Sequence, residues 1–347
     1  MSMGPLQKQL EQGAVLCAEG FLFELERRGY MQAGPFVPEV VLDHPEVLRQ
    51  LHLDFLRAGS DITVAFTYYA HREKMRQIGR EEDIETLNRH ALRIARQVAD
   101  EAGSLMAGNI CNTWVYDHER HEETAPQVRA MYEEQVRWAQ EEGVDCVIAE
   151  TLFYLGEAEI ALEVIRSFDL EAVIMLGPFH ERTRDGVSWA EACYRLREQG
   201  ATVVGVNCAQ GPQTMWPILQ QIRQQIQGPV GALPVPYRTN EQVPVFTQLR
   251  DMDGEQAFPI NLDPHYISRK EVARFARDAY AAGIRFLGLC CGNAPHFFRA
   301  MAEAIGRSVE ASHQSPDMSK HAMLGSSRVV QNHNREYRQD WSVDKRE

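Results

Sequence analysis

The stretches Thr202-Val-Val-Gly-Val-Asn-Cys208 and Arg285-Phe-Leu-Gly-Leu-Cys-Cys-Gly292 are short apolar runs of strand type, and each ends in cysteine where a glycine-containing turn begins. The carboxyl ends of strands are where a barrel enzyme carries its chemistry. Three thiolates converging from two strand ends would make a zinc site with one open position, filled most naturally by another thiol. Free cysteine is also among the most buried residue types and packs as a small hydrophobe, so that reading stays open here. The adjacent Cys290-Cys291 pair fits it less well, because neighbouring strand residues face opposite sides.

Six further runs of the same kind flank these two: Ala14 to Glu19, Asp61 to Tyr68, Ser104 to Ile110, Asp145 to Thr151, Ala172 to Gly177 and Gly228 to Val235. Between them lie amphipathic segments of helical period, among them Glu82 to Ala102, Pro126 to Glu142 and Ser188 to Gln199. Gly59, Gly143, Gly200 and Gly283 each close a helical pattern just before a strand, as a left-handed cap does. Eight such units predict an α/β fold, a (β/α)8 TIM barrel. The barrel is expected over residues 1–306. Residues 307–347, rich in Ser, His, Asn, Gln and Arg, are expected to be a polar C-terminal extension, either disordered or an oligomerisation arm ordered on a partner subunit. The irregular stretch Arg238 to Asp263 follows the seventh strand and is expected to be an active-site loop.

The chain has 347 residues, 44% of them hydrophobic, enough for a large core. Its formal net charge of -13 and the lack of any basic block argue against nucleic acid and anionic membranes as partners. Met1 to Gln12 has no apolar core of a signal peptide, and no apolar stretch reaches the ~20 residues that span a bilayer. The expectation is a cytoplasmic protein. Seven cysteines in such a chain point to metal-binding or structural thiols rather than disulfides. No GxGxxG follows the first strand, no Walker sequence occurs, and the histidines show no metal-binding spacing.

A barrel would bring Glu19, Tyr68 and Tyr69, Glu150 and Thr151, Cys208, and Cys290 with Cys291 to one mouth. Glu150 ends an otherwise apolar strand, where a carboxylate needs a partner or a ligand; an ion pair with a nearby Arg or Lys is the alternative. Tyr68, Tyr69 and Phe36, the last in Gly-Pro-Phe-Val-Pro, could present ring faces to a methylated cation, or could be ordinary core.

With these residues the sequence resembles the zinc-dependent homocysteine S-methyltransferase family, and within it the betaine-using members. The resemblance rests on FLFELERRGYMQAGPFVP (Phe21 to Pro38), RQLHLDFLRAGSDITVAFTYY (Arg49 to Tyr69), GVNC at Cys208 and GLCCG at Cys290 and Cys291, and runs from about Gly13 to Ile305. It implies that Cys208, Cys290 and Cys291 hold Zn²⁺, and that a methyl group passes from glycine betaine or a related onium donor to homocysteine, giving dimethylglycine and methionine. It also implies that Glu150 binds the acceptor, with Glu19 as a second candidate, and that Phe36, Tyr68, Tyr69 and Tyr337 bind the donor. The partners it implies are a small-molecule methyl donor, a thiol acceptor and further copies of the chain in a homodimer or homotetramer joined through the arm. The chain departs from the family pattern at Ala18, where an aspartate is usual, and at Thr151, where the betaine enzymes carry an aromatic. The second change is expected to reshape the donor pocket, toward a sulfonium or a cyclic betaine for instance. Two other readings are an onium demethylase that passes the methyl group to tetrahydrofolate, and a non-catalytic zinc or redox sensor barrel.

Overall fold

The computed structural model describes residues 3–326 and 330–334. Eight strands, β1 (Val15–Ala18), β2 (Ile62–Val64), β3 (Leu105–Cys111), β4 (Cys146–Leu152), β5 (Glu171–Leu176), β6 (Val203–Asn207), β7 (Val230–Leu233) and β8 (Phe286–Leu289), close into a barrel in chain order. Each pairs in parallel with its neighbours, and Val15 to Ala18 opposite Phe286 to Leu289 makes the closure. Helices alternate with the strands, so the expected (β/α)8 architecture is what the chain adopts. Among the described residues no helix is long and apolar enough to cross a membrane.

The strands are buried almost throughout, being covered by side chains inside the barrel and by helices outside it. The four cap glycines take positive φ of 111°, 78°, 99° and 84° at Gly59, Gly143, Gly200 and Gly283, which lets each helix turn directly into the next strand. Helix Pro5–Gln12 closes the bottom: its Leu6 and Gln7 amides donate to the Glu171 carboxylate at 2.8 and 2.9 Å, an anion held at a helix N-terminus. Residues 307–326 begin by packing on the barrel, with the Arg307 guanidinium 2.7 Å from Asp61 and Arg57 2.8 Å from Glu310.

Two predicted boundaries move by more than two residues. The helix expected from Pro126 starts at His121, because a 3₁₀ turn at His118–Arg120, capped by the Asp117 carboxylate accepting from Glu119 N, nucleates it a turn earlier and leaves Pro126 inside. The second strand, expected to reach Tyr68, ends at Val64. Beyond it Ala65 N still donates to Ala107 O at 2.9 Å and Thr67 Oγ1 to Asn109 O at 2.6 Å, but the chain then peels outward toward the mouth.

Two histidines are buried as neutral rings. Burial lowers both His52 and His71 to about 3, and the latter is lowered further by Lys74. The unfolded chain protonates them below the ordinary value of about 6.5, whereas the native chain does not until about 3. Stability is therefore lost as pH falls through that window, at up to about 1.4 kcal/mol per pH unit for each ring. His52 packs edge-on against Phe21 at 5.3 Å, and its Nε2 makes no hydrogen bond. In urea unfolding between pH 6 and 4, His52→Leu should flatten the fall of the midpoint; an unchanged slope would count against this linkage.

Candidate active site

The three predicted cysteines meet. Cys208 lies one residue beyond β6 with φ 61°, and Cys290 and Cys291 follow β8 in a turn completed by Gly292. Because both have left the strand, the alternation that would send adjacent side chains to opposite faces no longer applies. Cys291 Sγ is 3.6 Å from Cys208 Sγ and 3.9 Å from Cys290 Sγ, and the three sulfurs lie within 4.8 Å of one another. Sulfurs about 3.8 Å apart are what tetrahedral bonds of about 2.3 Å require, far longer than a disulfide of about 2.0 Å. The contacts with Cys290 and Cys291 hold the Cys208 thiol well below its ordinary value, and the same contacts push the other two up.

On one side of the sulfurs is a small pocket of ≈ 30 Å³, lined by Glu19, Glu150, Asn109, Tyr68, Cys290 and Cys291 among others. No Arg or Lys among the described residues pairs with Glu150. Its partners are two amides: Asn109 Nδ2 donates to Oε1 at 2.7 Å and Asn207 Nδ2 to Oε2 at 2.9 Å. Strand alternation puts Glu19 on the same side as Cys17, whose Sγ lies 3.8 Å from Glu19 Oε1, and just past the end of β1 at Ala18 its side chain enters the same pocket. Burial, and then the charge of Glu150, hold Glu19 well above the carboxylate range; burial raises Glu150 as well, against its amide hydrogen bonds. Glu150 is thus the member of the pair with amide donors on both oxygens, while Glu19 Oε2 has no hydrogen-bond partner. Asn109 Oδ1, buried in this wall, accepts no hydrogen bond from the protein.

On the other side opens an aromatic chamber of ≈ 450 Å³ that also touches Cys208, Cys291 and Tyr68. Phe36 and Tyr69 line it, and both take positive φ, 53° and 63°, so these rings are aimed by strained backbone. Burial pushes both tyrosine hydroxyls up, which keeps Tyr68 and Tyr69 neutral, and the Tyr69 ring already holds a cation, with Lys74 Nζ 4.6 Å from its centroid. Thr151 also lines the chamber, at φ 57°; it offers no ring, being fixed by Asn207 on both its amide and its hydroxyl at 2.9 Å. Trp114 and Phe153, with ring centroids 5.5 Å apart, supply aromatic wall beside it.

The sequence reading missed Asn109, Asn207, Trp114, Phe179, Phe246 and Phe258. Asn207 stands inside the Gly-Val-Asn-Cys motif and could have been noticed as a polar side chain ending a buried strand. Phe246 and Phe258 come from the Arg238 to Asp263 loop, which does cross the mouth. Tyr337 lies outside the described residues.

A closed barrel with three thiols gathered at its carboxyl-end mouth, between a carboxylate pocket and an aromatic chamber, belongs to the class of barrel enzymes that work on thiols. The family described as homocysteine S-methyltransferase matches residues 16–305, and the chain belongs to that family; it is an S-methyltransferase. Its relatives include betaine–homocysteine S-methyltransferase 1 of Rattus norvegicus, 36% identical over 92% of this chain and 78% of that protein. Another is S-methylmethionine–homocysteine S-methyltransferase BHMT2 of Pongo abelii, 32% identical over 92% of this chain and 86% of that protein. The metallated homocysteine methyltransferase MmuM of Escherichia coli has the same fold, with a TM-score of 0.68, 21% identity and coverage of 86% of this chain and 99% of that one.

The cysteine turn leans on Gly20. A Cβ there would lie 2.1 Å from the Cys290 carbonyl oxygen, on a backbone at φ 79°. Gly20→Ala should cost at least about 1–2 kcal/mol and displace Cys290. A lower melting temperature together with weaker thiolate-to-cobalt absorption on Co²⁺ titration is expected; a cobalt spectrum identical to the parent's would rule out the coupling.

Proposed function

We propose that the chain moves a methyl group from an onium donor, glycine betaine first, to the sulfur of homocysteine, with Cys208, Cys290 and Cys291 holding Zn²⁺. The observation that carries this reading is the position of the sulfur trio at the junction of the two cavities, where an acceptor thiol and a donor methyl can meet. Three soft thiolates at these separations suit zinc and leave room for a fourth, sulfur ligand. Zinc bound there would keep the acceptor thiol deprotonated and nucleophilic at neutral pH.

The chain's own residues do the rest. Glu150, fixed by Asn109 and Asn207, takes the ammonium of the acceptor, and the unpaired Asn109 Oδ1 takes a second N–H from the same group. Glu19 borders that group from just beyond β1. Phe36, Tyr68 and Tyr69 face the donor cation, with Trp114 and Phe153 completing the wall where Thr151 gives no ring. The acceptor sulfur forms a bond to the methyl carbon as that carbon's bond to nitrogen breaks, and the electron pair leaves on nitrogen. Thiolate and onium charges both disappear, so the step needs no protein acid or base; an approach of about 3 to 3.5 Å along the bond axis is what the two pockets must enforce. We further propose that residues 1–306 act as the catalytic unit of a cytoplasmic homodimer or homotetramer, joined through residues 307–347 with Tyr337 reaching the donor site.

Purified protein should contain about one zinc per chain by elemental analysis and form methionine from homocysteine and glycine betaine. Cys208→Ala should lose both zinc and turnover. Glu150→Gln should raise the KM for homocysteine about tenfold or more, the cost of one charge-assisted hydrogen bond. Methyltetrahydrofolate appearing in place of methionine would instead establish the demethylase, and active protein free of metal would refute the zinc assignment.

A further inference from the structure

Arg184 stands out in the aromatic chamber. The chamber lining contains no Asp or Glu, and Arg184 is its one permanently charged side chain among the described residues. Among the described residues its guanidinium has no ion pair and no hydrogen bond; it lies 4.9 Å from the ring of Tyr154 and acts through space on the buried Glu157 carboxylate, which is itself bonded to Thr113. Most arginines here are engaged otherwise, as in the clusters of Arg89 with Glu85, Glu141 and Glu142.

The obvious counter-ion is committed elsewhere. Asp185, next in sequence, accepts from Leu155 N at 3.0 Å and Gly156 N at 2.9 Å, capping helix Leu155–Ser167. The loop that carries Arg184 is also pinned on both sides. Arg184 N donates to Phe153 O at 2.9 Å, and Thr183 and Val187 exchange backbone and side-chain hydrogen bonds at 2.9 to 3.1 Å. A cation is thus held at the rim of a cavity that otherwise presents ring faces, with its donors unused.

We propose that Arg184 receives a carboxylate on the methyl donor, so that the chamber takes zwitterionic onium compounds in which a trialkylammonium or sulfonium head lies toward the cysteines and a carboxylate toward Arg184. This rests on the methyl-transfer reading above. Neutral aromatic walls attract the cationic head wherever it sits, but they do not choose its tail. The guanidinium does: it pairs bidentately with a carboxylate and repels a donor whose net charge is positive.

The test compares glycine betaine with its methyl ester, which keeps the trimethylammonium and lacks the negative charge. Binding is followed in the absence of acceptor by fluorescence of Trp114 in the chamber, and turnover by methionine formation. The parent should favour the zwitterion by at least about tenfold, and Arg184→Gln should weaken it about tenfold to a hundredfold in Kd and KM while sparing the ester and the KM for homocysteine. Arg184→Lys, which keeps the charge without the fork, should recover part of the loss. Equal losses for both donors, or no loss for either, would overturn the role of Arg184. If the parent binds the zwitterion but transfers no methyl group from any onium donor, the methyl-transfer reading fails, while the binding comparison still decides for or against Arg184. A parent that binds neither compound overturns both.

Discussion

The site depends on one amide. Asn207, fully buried at the end of β6, shares its two N–H bonds among Glu150 Oε2, Thr151 Oγ1 and, at 3.7 Å, Cys290 Sγ, while its carbonyl accepts from Thr151 N. One rigid side chain therefore ties the carboxylate of β4 to the sulfur turn after β8 across the mouth. In an interior of low dielectric such a network is costly when half satisfied and directional when complete. It keeps Glu150 facing the small pocket. It also holds Thr151 in a left-handed conformation that a β-branched residue rarely takes.

Strain at the mouth is the common device. Phe36, Tyr69, Trp114, Thr151 and Cys208 line the chamber and all take positive φ, each at a cost of order 1–3 kcal/mol. A closed barrel can hold such conformations because the strands below are paired on both edges and buried. What the strain achieves is escape from strand alternation: residues that would point alternately in and out are turned toward one cavity. Cys290 and Cys291 do the same through the turn at Gly292.

The eight strands and the cap glycines were legible because their signals are local: a β-branched run, a helical period, a glycine where the chain must turn left-handed. Strand ends were less so. The departure of the chain after Val64 is set by Thr67 meeting Asn109 on the next strand, and that partner is invisible in a single run of sequence. The chamber shows the same limit. Phe179 comes from one loop and Phe246 and Phe258 from another, and each reads locally as ordinary core; only their convergence makes them a wall. Glu19 was legible as a carboxylate at a strand end, but the packing of the next residue, Gly20, against the Cys290 carbonyl was not, because its partner comes from the opposite end of the chain.

The two cavities differ in kind, and under the proposed reaction that difference separates what is fixed from what can vary. Glu150, Asn109 and Asn207 form hydrogen bonds of set direction in a confined space, so they suit one acceptor geometry. Ring faces attract a cation without a preferred orientation and tolerate changes in its substituents. Cys291 and Tyr68 border both cavities, so a donor of altered shape still presents its methyl group to the same sulfur. Ring faces elsewhere in the chamber can then change, and the donor with them, without altering the hydrogen bonds that hold Glu150. The relatives named for betaine and for S-methylmethionine share homocysteine in their names and differ in the donor, which is the pattern this division of labour produces.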